Sequence, residues 1–387
     1  MLSLAFDGLD ALFVIRWARR SRRRLDVRCT SGVPDAGEGH HVTRRKIAGL
    51  LAKHGIRGLM GRHPLAVATN DPTVRTRTRE LVCHVHSGSW ASRAFVRIGR
   101  GLAVASPELV FLEMGSKMTL QSQVMLGMEL CGTFARDPIN PRMGEVRIGV
   151  PPVTSVARIM KLARRISYIP GLAQSLRALK LVRENAWSPM ESALATALVL
   201  PCDELGYGMG DVVLNDRVET PCGELSSRVP DILIRDTRVG INYDGEDHIM
   251  TRYALDAMHR AIAGDEQAAH EAEQRLGSIR HKVVDDKWRD RDLLLKDYRV
   301  IPMVKEDLGP ERFERLMHEL ATTAAKEDGV IPLFMTSEYS TPTARAKRMN
   351  LLRSLLPSPD AAAADARTRI DRLGSINSYV IDRVLRL

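Results

Sequence analysis

The sequence predicts an α/β protein with more than one domain. Three observations lead there. Short β-branched runs broken by Gly, Asp and Pro occupy the region before residue 110. Capped runs with helical spacing follow and alternate with further strand-like runs. From 188 to 325 the two kinds interleave as helix, strand, strand, helix, strand, helix, which is the order of a mixed sheet flanked by helices. At 387 residues the chain is long enough for two domains, each with its own core.

Taken in order, residues 1–62 form a basic segment. Up to Arg57 it holds 12 Lys+Arg against 5 Asp+Glu, a surplus of +7. Arg22, Arg23 and Arg24 lie in one basic run, and Arg44, Arg45 and Lys46 open another, TRRKIAGLLAKHG. Thr43 can cap that second run as a helix, Ile47, Leu50 and Leu51 share a face, and Gly55 ends it. Both runs read equally as phosphate-binding or as solvated basic faces.

Residues 63–187 form an α+β region. LAVATNDP, ELVCHVHSG and RAFVRIGRGLAVASPE are strand-like, Ser106-Pro107-Glu108 opens a helix, LQSQVMLGMELCG is a second, and 153–186 is helical and basic. His84 and His86 alternate in one strand beside Cys83, but the sequence supplies no second pair of ligands at workable spacing, which argues against zinc.

The third region, 188–325, begins with WSPMESALATALVLP. Ser188 is a good N-cap, Pro189 suits the first helical position, and Glu191 stands three residues after the cap. A hairpin follows, PDILI and VGINYDG about a turn near DTR, then helices over 252–280 and 284–297, the strand YRVIPMV and the helix DLGPERFERLMHELATTAAK. Residues 326–387 read as a linker, TSEYSTPTARAKR, and a terminal helix.

The net charge of +10 and pI near 9.6 favour an anionic partner, most often nucleic acid. No apolar run approaches the roughly 20 residues of a membrane span. MLSLAFDGLDALFVIRWARRSRRR carries its charge after its apolar part, the wrong order for a secretory signal. Five scattered cysteines without CxxC spacing suggest reduced thiols and a cytoplasmic protein. P-loop, nucleophile-elbow and dinucleotide signatures are absent from the sequence.

The hairpin carries the sharpest chemical signal. Phosphodiester cleavage uses a dication held by a few carboxylates, with other positions open to water and phosphate. Asp231 starts one strand and Asn242, Tyr243 and Asp244 end the next, so an antiparallel hairpin brings these ends together. Alternation places Asn242 and Asp244 on one face and Tyr243 on the other. Each acid has a second reading: Glu191 as a helix cap, Asp231 as a strand start, Asp244-Gly245 as a turn, and Glu246 and Asp247 as solvated charges. His248 reads as phosphate contact, metal ligand or plain polar surface.

These residues also resemble a known family. Glu191, Pro230-Asp231 and a strand ending Asn242-x-Asp244-Gly245 with His248 after it look like the very-short-patch-repair-like endonuclease domains of the PD-(D/E)xK restriction-endonuclease-like superfamily. Asp286, Arg289, Asp290, Leu293, Tyr298, Val300 and Asp307-Leu308 resemble that family's later signature. The resemblance covers 188–308. It implies a restriction-endonuclease-like fold and Mg²⁺ held by Asp231, Asp244 and Glu246, with Glu191 and Lys282 in the catalytic set. The family has an acid where this chain has Asn242, and the broader fold has Lys where it has Asp244. The region 80–187, through His84/His86, LAVASPELVFLEM and LGMELCG, resembles the C-terminal part of AbiEi-like abortive-infection antitoxin proteins. That resemblance implies DNA binding, a role in transcription or phage defence, and a toxin or other protein partner. The expectation is a cytoplasmic DNA-binding protein with an endonuclease-like domain, cutting with Mg²⁺ if active. The alternative is a non-catalytic antitoxin-like regulator with a degenerate nuclease fold.

Overall fold

The computed structural model describes residues 4–21, 30–31, 43–60, 64–74, 81–86, 94–220, 223–244, 258–260, 262 and 265–356. Arg22, Arg23, Arg24, Glu246, Asp247, His248 and the expected terminal helix lie outside them. The chain is mixed α/β and divides into two compact units: residues 1–196 together with the chain from Asn350, and Ala197–Met349.

The first unit is built on a six-stranded mixed sheet of β1 (Leu4–Phe6), β2 (Thr30–Ser31), β3 (Leu65–Thr69), β4 (Leu81–Val85), β5 (Phe95–Gly99) and β6 (Leu102–Ala105). Its strand order is β2-β5-β6-β1-β3-β4. The three strand-like runs read from the sequence become the four strands β3 to β6, the last run supplying both β5 and β6. The central strand is β1, parallel to β6 through Leu4↔Leu102 and antiparallel to β3 through Phe6↔Val67. So the first residues of the chain belong to the same unit as residues 65–105 instead of standing apart as a basic head. The helix after β1, α1 (Gly8–Arg20), is buried along most of its length, with Leu12, Val14 and Ile15 at 1% exposure or less.

A helical layer completes this unit: α2 (Arg44–Lys53), α3 (Pro107–Glu113), α4 (Leu120–Cys131), α5 (Val156–Ala163), α6 (Leu172–Leu181) and α7 (Pro189–Val199). A two-stranded ribbon, β7 (Phe134–Ala135) with β8 (Arg147–Ile148), lies between α4 and α5 in sequence. The helix caps fall where the sequence placed them. Thr43 Oγ1 accepts from Lys46 N and Ser106 Oγ from Leu109 N at 3.2 Å; Thr119 Oγ1, which the sequence did not single out, caps α4 by accepting from Ser122 N. Two glycines let these helices close up, Gly127 of α4 against the end of α6 and Gly115 after α3 against the start of α6. A Cβ at Gly127 would stand 2.3 Å from Val182 Cγ2, and one at Gly115 would stand 2.2 Å from the Gly171 carbonyl oxygen.

The second unit holds a four-stranded mixed sheet of β9 (Val212–Leu214), β12 (Ile232–Ile234), β13 (Val239–Tyr243) and β14 (Arg299–Met303), in the order β14-β13-β12-β9. β9, β12 and β13 form an antiparallel meander and β14 joins parallel to β13. A separate hairpin, β10 (Val218–Thr220) with β11 (Gly223–Arg228), was not legible in the sequence. Between β13 and β14 runs α8 (Glu266–Leu294), a single helix over the span where the sequence suggested two. It packs on β14 and on the β10–β11 hairpin, with Leu293 fully buried beside Val218 and Leu233.

α9 (Pro310–Asp328) follows, as expected. The stretch TSEYSTPTARAKR is not a linker: its second half opens α10 (Pro342–Leu355). The reason is local, since Thr341 Oγ1 accepts from Ala344 N at 3.2 Å and Pro342 takes the first helical position. Around Tyr207 the second unit builds its densest aromatic cluster. Tyr207 meets Phe313 and Phe334 edge to face at 5.8 and 5.0 Å, and the Arg348 guanidinium lies 5.2 Å from the Tyr207 ring. Arg348 is held in place by Glu314 at 3.0 Å.

Candidate functional site

Three places carry chemistry-bearing side chains: the β12–β13 hairpin, the outer face of α5 and α6, and a buried group at the start of α1.

At the hairpin the register pairs Ile232 with Ile241, so Asp231 and Asn242 face each other across the two strands. They form a reciprocal clasp. Asp231 N donates to Asn242 Oδ1 at 3.1 Å, and Tyr243 N donates to Asp231 Oδ2 at 2.6 Å. Asn242 is 1% exposed, and its Nδ2 is buried without an acceptor among the described residues. Asp244 lies at the same end of the sheet, its N–H donating to the Met303 carbonyl at 2.8 Å. Its carboxylate meets Arg289 Nη2 at 3.5 Å, and the same nitrogen meets Asp286 at 3.2 Å. Arg289 therefore brings α8 and the end of β13 together.

Does this set fit Mg²⁺? An octahedral oxygen site needs converging carboxylates. Here an amide N–H₂ and a guanidinium stand beside the two acids, and Asp231 and Asp244 belong to no three-ligand group among the described residues. The described part of the hairpin does not fit the ion. Glu246 and His248 lie outside the described residues, and of the Lys282 side chain in α8 nothing is described.

Glu191 falls in the first unit, whereas Asp231 and Asp244 fall in the second. Its carboxylate caps α7. Trp187 N donates to Oε2 at 2.8 Å, Ser188 Oγ donates to Oε1 at 2.9 Å, and Glu191 N donates to Ser188 Oγ at 3.2 Å. This is the capping box legible in the sequence.

The second place is electrostatic. Between residues 146 and 183 the chain has eight Lys+Arg and no Asp or Glu. α5 and α6 pack on each other and on α3 and α4 through Ile159, Leu162, Ala178 and Leu179, all at 9% exposure or less. Their amphipathic pattern leaves Lys161, Arg164, Arg165, Arg177 and Lys180 exposed. Tyr168 stands in the connection between the helices at 77% exposure. Arg44, Arg45 and Lys46 are also exposed, at the start of α2. The sequence reading noted that 153–186 is basic, but the missing signal was the complete absence of acids over the longer span.

The third place was read only in part: the sequence singled out His84 and His86, but not the acids that join them. Asp7 ends β1 and starts α1, His84 and His86 share one face of β4 and its extension, and Glu113 ends α3. His84 Nδ1 lies 2.8 Å and His86 Nε2 3.0 Å from Asp7 Oδ2, and His86 Nε2 lies 3.7 Å from Glu113 Oε1. Glu113 Oε2 accepts from Gly8 N at 2.8 Å. Ligand atoms of Asp7, His86 and Glu113 all lie within 4.8 Å of one another, and all three residues are buried.

The two acids titrate apart. Burial opposes ionisation of Asp7, yet the hydrogen bonds from His84 and His86 hold its pKa down at about 2. Burial and the charge on Asp7 push Glu113 up to about 7. The hydrogen bond to Asp7 raises the His84 pKa. Lys117 contributes a cation here, because a Cβ on Gly8 would lie 2.7 Å from its Nζ. No sequence spacing announces the group, since its members stand 79 and 27 residues apart.

Among the described residues no helix is long and apolar enough to cross a membrane. Cys131 and Cys202 are buried free thiols, and Cys83 is buried. No family model matches the chain, and neither a curated protein nor a solved structure matches it.

Proposed function

We propose that the chain is a DNA-binding protein in which the α5–α6 face of the first unit holds the phosphate backbone and the second unit has an endonuclease-like core without hydrolytic chemistry. The observation that carries this reading is the single-sign face: five exposed cations on two packed helices and the turn after the first, an exposed tyrosine between them, and no acid from 146 to 183. Such a face attracts phosphates over a Debye length and offers a ring for stacking. The overall charge of +10 and the exposed Arg44, Arg45 and Lys46 add to it.

A three-strand meander, a long helix and a parallel fourth strand support the restriction-endonuclease-like resemblance of the second unit. The clasped Asn242 and the Arg289 bridge favour the antiparallel hairpin as a folded relic of a metal site. In this reading Asp231 fixes the register of β13, and Asp244 anchors α8 through Arg289. An antitoxin-like regulator is the class this arrangement suits, and a toxin or other protein partner is what the second resemblance implies. Phosphodiester hydrolysis with Mg²⁺ at Asp231, Asp244 and Glu246 is the second reading, favoured by the shared end of the sheet occupied by Asp231 and Asp244.

Fluorescence anisotropy with a labelled duplex, titrated with salt, tests the first reading. Five phosphate contacts give a slope of log K on log salt of about −4.5, at about −0.9 per contact. Changing Lys161, Arg164 and Arg165 together to Gln is expected to flatten it by about 2.7. Well-folded protein that binds no duplex, or binds with an unchanged slope in the triple variant, overturns the assignment. Plasmid incubation with Mg²⁺ or Mn²⁺ separates the two readings: cutting that disappears in Asp231→Ala installs the nuclease.

A further inference from the structure

The buried group at the start of α1 plays no part in DNA binding as proposed above. The geometry points to a binding site for one transition-metal dication of the zinc class, with Asp7, His86 Nε2 and Glu113 as ligands. His84 is the orienting partner of Asp7.

The donor set argues for this class of ion. One imidazole and two carboxylates, with no thiolate, suit Zn²⁺, Mn²⁺, Fe²⁺ or Co²⁺, whereas Mg²⁺ and Ca²⁺ take oxygen ligands throughout. Cys83 is next to His84 in β4, but strand alternation sends it to the opposite face.

Distances argue for it too. Ligands about 2.0–2.2 Å from a tetrahedral ion stand about 3.2–3.6 Å apart. His86 Nε2 lies 3.0 Å from Asp7 Oδ2 and 3.7 Å from Glu113 Oε1. Small side-chain adjustments therefore admit the ion.

A third argument is the buried oxygen Asp7 Oδ1. It is inaccessible and accepts no hydrogen bond among the described residues, in a carboxylate that is 1% exposed. Unpaired buried acceptors are uncommon and costly. A cation beside it supplies what the protein does not.

The surrounding residues resemble a metal centre's outer layer. His84 holds Asp7 Oδ2 at 2.8 Å, and Gly8 N holds Glu113 Oε2 at 2.8 Å, so both carboxylates are oriented by partners outside the ligand set. The His84 side chain is 43% exposed, which gives the ion a route to water. The group also spans β1, β4 and α3, so a bound ion ties the central strand to the sheet edge and to the helical layer. Lys117 is the competing cation: it lies over Gly8 and lowers the pKa of Glu113.

The test uses the full chain. Metal analysis of protein purified without chelator is expected to find one zinc-class ion per chain. Chelator-treated protein titrated with Co²⁺ is expected to develop a visible d–d band that saturates at one equivalent, with no thiolate charge-transfer band. His86→Gln and Glu113→Gln each remove that band while far-UV circular dichroism is retained. Lys117→Met leaves it in place.

Two results overturn the site. One is a folded wild-type chain that holds no stoichiometric metal and gives no Co²⁺ band. The other is a band that survives both substitutions. Either one leaves the group as an ion cluster balanced by Lys117, and the wild-type titration decides this even if a variant fails to fold.

Discussion

Replacing Glu129 by Ala tests how the first unit holds its most buried charges. Glu129 is 1% exposed and meets Arg16 in a two-pronged pair, Nε to Oε1 at 2.9 Å and Nη2 to Oε2 at 2.6 Å. Its Oε1 also accepts from Arg136 N at 3.1 Å. Arg19 lies alongside, its guanidinium donating to the carbonyls of Glu129 and Gly132 at 2.8 Å each. Three arginines thus surround one carboxylate, and Arg16 and Arg19 are themselves 3% and 4% exposed. Removing the acid strands these charges, which costs about 3–5 kcal/mol for a buried pair broken on one side. With a urea slope of about 2 kcal/mol/M, the midpoint of the first unit's transition falls by about 1.5–2.5 M. Circular dichroism through a urea series, with Trp17 fluorescence as a second probe, measures this. Arg16→Met combined with Glu129→Leu should cost less than the sum of the single changes. A loss below about 1 kcal/mol in Glu129→Ala refutes the reasoning, because it means water reaches the arginines.

Other expectations follow from the same geometry. Burial works against the Glu129 charge, but Arg16, Arg136 and Arg19 hold its pKa below the ordinary carboxylate range. A lowered pKa makes the contribution complete above the unfolded value of about 4.3 and loses it as pH falls through the folded one, so acid denaturation should be shallower in Glu129→Gln. Gly115→Ala forces a methyl group against the Gly171 carbonyl, where a Cβ has only 2.2 Å, and is expected to lower the thermal midpoint at a cost of about 1–3 kcal/mol. In the second unit Phe334→Ala empties the ring cluster around Tyr207 and should cost about 3–5 kcal/mol in a denaturant titration. An unchanged midpoint in either variant counts against the packing described.

Elements whose cause is local were legible in the sequence. The β12–β13 hairpin, the capping box at Ser188 and Glu191, and the caps at Thr43 and Ser106 all depend on residues within a few positions of one another. What escaped depends on distant partners. β1 is three residues long and carries no turn signal; it is a strand because β6 and β3 pair with it on both sides. α1 follows Asp7 and contains Asp10, and both acids have distant partners: Asp10 accepts from Ala66 N at 2.7 Å, and Asp7 joins the histidines. The polar half of TSEYSTPTARAKR hid a helix whose apolar face begins only at Met349 and Leu352, both at 3% exposure or less. At the hairpin the sequence could place Asp231 and Asn242 opposite each other but could not show that they bond to one another, nor that Arg289 returns from α8 to Asp244. The basic face lies in one continuous stretch and was partly legible, whereas the Asp7 group assembles from separate segments, so no local motif announces it.

The position of β1 also bears on the order in which the first unit can form. Leu4 pairs with Leu102, which lies 98 residues further along the chain. At ribosomal speeds of about 5–20 residues per second, that strand waits on the order of 5–20 s for its parallel partner. In the interval β1 and α1 present an apolar surface with no sheet to dock on, and β3 and β4 can pair while the centre of the sheet is still missing. Closure therefore comes late and all at once, when β5 and β6 arrive and the waiting strand slots between the two halves. The early segment thus stays open to non-native association until then. A pause in translation before residue 102 should prolong that vulnerability, while one after residue 105 should not.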